Sequence, residues 1–234
     1  MKTILAWVQK FLHDHPKVRS AVRDARWQIK KVPLINRISI AFDTAYFKNA
    51  GDERLHAENA DGRDEYAEAY WAFISPRVHG QVLDVGCGSG YLTKRIAANP
   101  KVQSVVGVDK IQDFQTSDPK ITYVTDDLTR PKDFPGTFDV VVSSEFIEHV
   151  REVDCRKILA KITKALKPGG VFIGSTPHNP TAFKTFSGSR FHIREYNEKD
   201  LTRLLKDFFG DVVVTALSTH CLVWEAKQPR SYIL

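Results

Sequence analysis

Leu83-Asp84-Val85-Gly86-Cys87-Gly88-Ser89-Gly90, LDVGCGSG, is the stretch on which the fold turns. With Gln81 and Val82 ahead of it, it reads as a short apolar strand running into glycines, and TKRIAAN after it reads as a helix. Glycines at 86, 88 and 90 let the backbone turn tightly and come close to a ligand, and the helix that follows turns its free N–H groups toward the same spot. The spacing is G-x-G-x-G, which departs from the G-x-G-x-x-G of dinucleotide binders. Asp84 stands two residues before the first glycine. A carboxylate there would repel a pyrophosphate and suit an ammonium group. The next apolar run, VQSVVGVD, ends at Asp109, 23 residues after Gly86. An acid at that distance is placed to hold ribose hydroxyls.

Around this core the pattern alternates. ITYVTD and FDVVVSS read as third and fourth strands, and VFIGSTP as a fifth. VDCRKILAKITKALK carries Ile158, Leu159, Ile162, Ala165 and Leu166 on one side of a helix, which Pro168 and Gly169-Gly170 should stop. NEKDLTRLLKDFF reads as a helix capped by Asn197 with acids in its first turn. DVVVTAL and CLVWEAK close the chain as two strands. Too few residues join them for a crossover, so they should pair antiparallel. Strands alternating with helices predict an α/β protein, a mostly parallel sheet covered on both faces. DGRDEYAEAYWAFIS, residues 61–75, reads as a further helix ahead of the first strand.

These motifs, in this order, resemble the class I S-adenosylmethionine-dependent methyltransferases. The resemblance rests on LDVGCGSG, VVGVD, TDDL, FDVVVSSEFIEHV and LKPGGVFIGSTP, and runs from about Gln81 to Gln228. It implies a Rossmann-like seven-stranded sheet over residues 76–234, with residues 1–75 as an N-terminal helical extension. It implies S-adenosyl-L-methionine across the carboxyl ends of the first strands. Asp84, Gly86, Cys87 and Gly88 would then border the methionine part, with Cys87 itself a small packing residue. Asp109 and the adjoining Lys110 would face the ribose, and Asp127 with the backbone of Leu128 the adenine. Asp126 competes with Asp127, because the doubled acid leaves the register open by one. Ser144 and Glu145 would border the sulfonium.

SSEFIEHV, Ser143 to Val150, carries Glu145, Glu148 and His149 at spacings that share one face of a helix. Within the family it resembles two groups: ubiquinone-pathway O-methyltransferases and small-RNA 3′-terminal 2′-O-methyltransferases. The second group implies a divalent-metal site here, made by Glu145, Glu148, His149 and, ahead of NEKDL, His192. Two oxygens with two nitrogens suit Mn, Co, Fe or Zn better than Mg or Ca. The same residues also read without metal: His149 as general base or substrate orienter, Glu145 and Glu148 as its catalytic neighbours, or all three as structural groups. The segment from His178 to Tyr196 is rich in aromatic and small residues and is predicted to fold over the acceptor as a lid, with His178 and Arg190 as secondary contacts.

Composition narrows the function. Hydrophobic residues make up 42% and charged residues 26% of 234, as in a globular domain. Three scattered cysteines, Cys87, Cys155 and Cys221, argue against a disulfide scaffold and for a reducing, cytoplasmic setting. The net charge is +6, and residues 1–31 account for all of it, with eight lysines and arginines against two aspartates. Trp7, Phe11 and Leu12 lie beside Lys10 there, so this segment is either a helical lid or an interfacial helix in peripheral contact with an anionic membrane. Three functions compete. The preferred one is methylation of a small-molecule acceptor, at oxygen. RNA 2′-O-methylation draws on a pI near 9.2. Against it, the basic charge lies outside the part that carries the motifs, where RNA binders need it. A non-catalytic cofactor-binding partner is disfavoured by the intact motifs. No feature of the sequence speaks to oligomeric state.

Overall fold

The computed structural model describes residues 63–110, 116–181 and 192–230. All belong to one compact unit, Gly51–Leu234. The expectations for residues 1–31, for Arg190 and for most of the lid fall outside the described residues.

Elements are numbered from the first described residue. Helix α1 spans Arg63–Ile74, β1 Gly80–Val85, α2 Tyr91–Ala97, β2 Val102–Asp109, β3 Ile121–Thr125 and β4 Phe138–Ser144. A 3-10 turn at Ile147–His149 precedes α3 at Glu152–Ala165, β5 at Leu166–Pro177, α4 at Glu198–Lys206, β6 at Phe209–Ser218 and β7 at Cys221–Pro229. The seven strands form one sheet in the order β3-β2-β1-β4-β5-β7-β6. Strands β1 to β5 run parallel, and β7 pairs antiparallel with both β5 and β6. The expected antiparallel last pair is present. Only Thr219 and His220 join its strands, so β6 and β7 must fold back on each other.

The central strands are apolar on both sides because helices cover both faces. On one face Ile158, Leu159 and Ile162 of α3 and Leu201, Leu204 and Leu205 of α4 pack with Leu83, Val85, Val141 and Phe172. On the other, Ile96 and Ala97 of α2 and Tyr70 and Ile74 of α1 pack with Val82, Val140, Val142 and Ile173. Tyr70 and Ile74, read from sequence with the N-terminal extension, thus contribute to the core of the sheet domain. The Asn197 side chain accepts a hydrogen bond from the Asp200 amide at 2.7 Å and caps α4, as its position in NEKDL suggested.

Two expectations are corrected. Helix α3 ends at Ala165, ahead of Pro168, because Leu166 already pairs with Phe138 of β4. Pro168-Gly169-Gly170 instead forms an irregularity inside β5, with Gly169 at φ 79°. The second correction is SSEFIEHV. Ser143 and Ser144 finish β4, Glu145 takes a left-handed φ of 48°, and only Ile147–His149 coil into a single 3-10 turn. Glu145, Glu148 and His149 therefore do not share a helix face. The cause is sheet pairing: the Glu145 amide donates to the Ser175 carbonyl at 3.0 Å, which carries the β4–β5 ladder one residue too far for a helix to start.

Among the described residues no helix is long and apolar enough to cross a membrane.

Candidate active site at the strand ends

The strand order reverses between β1 and β4, and in such sheets the crevice beyond the strand carboxyl ends is where ligands bind. The glycine loop stands there. The Gly86 amide donates to the Val108 carbonyl at 2.9 Å, so the loop leaves β1 still attached to β2. Gly86 has φ 76°, and a Cβ at this residue would lie 2.3 Å from the Phe146 ring. No other residue type fits. Phe146, from the turn after β4, is thus wedged against the glycine loop and locks the two halves of the crevice together. The Gly88 amide donates to Asp109 Oδ2 at 3.0 Å, which ties the loop to the end of β2.

Asp84 is 1% exposed and its Oδ2 accepts a hydrogen bond from Thr93 Oγ1 at 2.6 Å. Burial pushes its carboxyl up to about 7; the Thr93 bond opposes the shift, and the nearby Asp109 charge adds to it. Cys87 is buried, and its sulfur packs toward Gly107 on β2. Burial drives the thiol pKa far up, which removes any nucleophilic role. Lys110 is exposed, just past the end of β2.

The doubled acid after β3 separates into two environments. Asp127 Oδ1 accepts from the Thr129 amide at 3.0 Å and from Thr129 Oγ1 at 2.7 Å, an arrangement that closes a turn. Asp126 instead lines a small cavity with Val108, Leu128 and Phe134. Its carboxylate lies 3.3 Å from Lys132 Nζ. Lys161 closes the floor of this cavity: its buried ammonium donates to the Leu128 carbonyl at 2.7 Å and holds the loop in place. Sequence reasoning missed Lys161, which looked like one more charge on an amphipathic helix.

Across the crevice a second group assembles. The Glu148 carbonyl accepts hydrogen bonds from the Ile193 and Arg194 amides at 2.7 and 3.2 Å, which brings His192 to the turn after β4. The His149 and His192 rings meet edge to face with centroids 5.0 Å apart. Glu148, His149 and His192 each present a ligand atom, all within 4.8 Å of one another. The Glu148 side chain is fully buried. Its Oε2 accepts from Thr176 Oγ1 at 3.0 Å, while Oε1 has no hydrogen-bond partner among the described residues and faces His149 Nε2 at 3.6 Å. Burial, and secondarily the neighbouring Glu145 charge, push the Glu148 carboxyl well above the usual range. His192 Nδ1 lies 2.5 Å from Glu195 Oε1, with Glu195 buried. A proton on Nδ1 directed at Glu195 leaves the lone pair on Nε2. Glu195 is a second residue the sequence did not signal, although it stands three positions from His192.

Glu145 lies apart from this group of three: its Oε1 accepts from Ser175 Oγ at 2.9 Å, and Ser175 Oγ is 3.2 Å from Ser144 Oγ. His178 sits at the exit of β5, where its backbone bridges Tyr196 and closes the base of the segment between them.

The fold has known counterparts. Residues 52–208, more than half of the chain, match the family model described as a methyltransferase domain. The chain belongs to that family. In fold and cofactor motifs it is a class I S-adenosylmethionine-dependent methyltransferase. It is 33% identical over 150 residues to a probable S-adenosylmethionine-dependent methyltransferase of Mycolicibacterium smegmatis, covering 59% of this chain and 55% of that one. It is 32% identical over 126 residues to the ubiquinone biosynthesis O-methyltransferase of Proteus mirabilis, covering 47% and 49%. The chain thus spans about half the length of the curated relatives it matches. Among solved structures, the DhpI complex with S-adenosylhomocysteine shares the fold with a TM-score of 0.65 at 18% identity, covering 82% of this chain and 98% of that chain. The Burkholderia thailandensis 1,6-didemethyltoxoflavin-N1-methyltransferase does so with a TM-score of 0.62 at 19% identity, covering 83% and 89%.

Proposed function

We propose that the protein transfers the methyl group of S-adenosylmethionine to an oxygen of a small-molecule acceptor. The observation that carries this reading is the Glu148–His149–His192 group beside the cofactor crevice. A sulfonium is already an activated donor, so the leaving thioether needs no acid. The acceptor must lie in line with the methyl carbon, and a hydroxyl acceptor must also lose its proton. His149 is partly exposed, with its Nε2 turned toward the fully buried Glu148. It takes the hydroxyl proton and passes it to solvent after the methyl group has moved, while the buried Glu148 carboxyl, 3.6 Å from Nε2, holds the ring in place. Asp84 receives the ammonium of the methionine part, Asp109 the ribose hydroxyls, and Asp126 or Asp127 the adenine edge.

A divalent cation fits the same three residues. The buried Glu148 oxygen without a partner, two imidazoles and the Glu195 carboxylate behind His192 are the arrangement that orients metal-ligating histidines. Glu148, His149 and His192 would hold the ion, with Glu145 outside the set. A bound cation would lower the pKa of the acceptor hydroxyl. The relative named as a ubiquinone biosynthesis O-methyltransferase supports oxygen as the target. Confinement of the excess basic charge to residues 1–31 favours a small acceptor over RNA.

The test is transfer of labelled methyl from S-adenosylmethionine to a panel of phenols, catechols and amines, with and without chelator. Oxygen methylation that is lost in His149→Ala is expected. Transfer confined to amines, or full turnover in His149→Ala, would overturn the reading. Activity unchanged by chelator, in protein free of bound metal, would leave His149 acting alone.

A further inference from the structure

Lys161 is a buried cation that the transfer chemistry does not use. It lies on α3, 7% exposed, and its Nζ donates to the Leu128 carbonyl at 2.7 Å and to the Arg130 carbonyl at 3.2 Å. The centroid of the Phe134 ring is 5.1 Å from Nζ. Burial lowers the Lys161 pKa, and the charges of Asp126, Asp133 and Asp127 oppose the fall. A buried ammonium must be hydrogen-bonded, and here it is bonded to the main chain of a single loop, the one that follows β3. The backbone of that loop is otherwise closely tied. The Asp126 amide donates to the Asp109 carbonyl at 2.9 Å, the Arg130 amide to the Asp127 carbonyl at 2.9 Å, and the Lys132 amide to the Arg130 carbonyl at 2.9 Å. The Thr129 amide donates to Asp127 Oδ1 at 3.0 Å. The Leu128 carbonyl and the Thr129 amide belong to one trans peptide plane and point in opposite directions. Lys161 and Asp127 therefore grip that plane from its two sides. The loop amides of Asp127 and Leu128 have no acceptor among the described residues.

We propose that Lys161 is a positioning residue that sets the base specificity of the cofactor site: by pinning the Leu128 and Arg130 carbonyls toward α3, it holds the Leu128 amide and the Asp126 carboxylate as a fixed donor–acceptor pair for the adenine edge. This rests on the proposed placement of the adenine at this loop. Adenine offers an acceptor at N1 beside a donor at its 6-amino group. Hypoxanthine carries a hydrogen on N1 and a carbonyl at position 6, so both roles are reversed. One amide and one carboxylate held in a fixed relation accept the first base and reject the second, because the wrong base leaves buried polar groups unpaired. Without the cation the Leu128 carbonyl loses its donor, and the 128–129 peptide is held from the Asp127 side alone. Rotation of that peptide takes the neighbouring Leu128 amide out of line with Asp126. Lys161 acts through the loop and does not touch the base.

The experiment is calorimetry on the full chain with S-adenosylhomocysteine and with S-inosylhomocysteine, which differs only in carrying hypoxanthine. Wild type, Lys161→Met and Lys161→Arg are compared, with a melting curve of each protein. The wild type should prefer the adenine compound by about 30-fold. Lys161→Met should cut the preference to about 3-fold, by weakening S-adenosylhomocysteine about 10-fold and S-inosylhomocysteine less than 2-fold. Lys161→Arg, which keeps the charge and its donors, should restore most of the preference. A lysine that only stabilises the fold would lower the melting temperature of Lys161→Met and leave the preference unchanged; that result, or equal weakening of both compounds, would overturn the inference. Should Lys161→Met fail to fold, Lys161→Gln keeps a donor for the Leu128 carbonyl without the charge. Its preference should fall about 3-fold below the wild type, and an unchanged preference would count against the role of Lys161. A wild type that binds neither compound would overturn the cofactor reading itself, whereas a wild type that binds both equally would overturn only the reading of the base.

Discussion

The half of the crevice proposed to hold the cofactor and the half proposed to hold the acceptor are built in opposite ways. The cofactor half is a short stretch of chain: Asp84, the glycine loop and Asp109 fall within 26 residues, on two adjacent parallel strands. Its conformation is local, set by positive-φ glycines and by the bond from the Gly88 amide to Asp109. The acceptor half is drawn from three separate segments, the turn Glu145–His149, the end of β5 at Ser175 and Thr176, and His192–Glu195. It exists only because main-chain bonds from Ile193 and Arg194 close onto Glu148. A local site withstands change elsewhere in the fold, while an assembled one can be taken apart at one residue. The two halves touch through Phe146 against Gly86.

The comparison makes separable predictions. His149→Ala should lower turnover by about 100-fold, with cofactor affinity changed less than about 3-fold. Steady-state kinetics beside calorimetry checks this, and a matching loss of cofactor binding would show that the halves are not independent. Asp109→Ala should do the reverse. It should weaken cofactor binding about 30-fold, ~2 kcal/mol for lost hydrogen bonds to a charged group, while the acceptor half keeps its geometry.

Asp84 gives a pH signature. Its carboxyl, at about 7, sits above the ordinary value near 4 for an unfolded aspartate. Between about pH 4 and 7 the folded protein thus holds a proton that the unfolded chain has released, and this group's contribution to stability declines as pH rises through that window. An ammonium beside it reverses the preference and favours the carboxylate. Cofactor affinity should therefore rise about 10-fold per pH unit up to pH 7 and level off above it. Calorimetry from pH 5.5 to 8.5 measures the slope, and Asp84→Asn should flatten it. A slope that survives Asp84→Asn belongs to another group.

The smallest expected effect concerns the doubled acid. Asp126→Ala should weaken cofactor binding about 3- to 5-fold, the loss of one partly buried hydrogen bond, and Asp127→Ala less than 2-fold. The reverse order would place Asp127 at the adenine despite its bonds to Thr129.

Alternation of apolar strands with amphipathic helices was enough to define the sheet, its two helical layers and the antiparallel end. Period and turn chemistry are properties of neighbouring residues. The same holds for the cofactor loop, since a left-handed backbone at Gly86 and an acid two residues earlier are written locally. The acceptor site was legible only as a set of residue types. Glu145, Glu148 and His149 could be named, but a helix was the wrong geometry for them, because pairing of β4 with β5 outcompetes helical hydrogen bonds at Glu145. Whether Asp126 or Asp127 lines the small cavity beside Leu128 depended on which carboxylate the Thr129 turn occupied. Glu195 behind His192 and Lys161 beneath Leu128 had no local signal at all. Their meaning comes from packing across distances that periodicity does not encode: a buried charge or hydroxyl is defined by what surrounds it, and only the folded sheet brings those surroundings together.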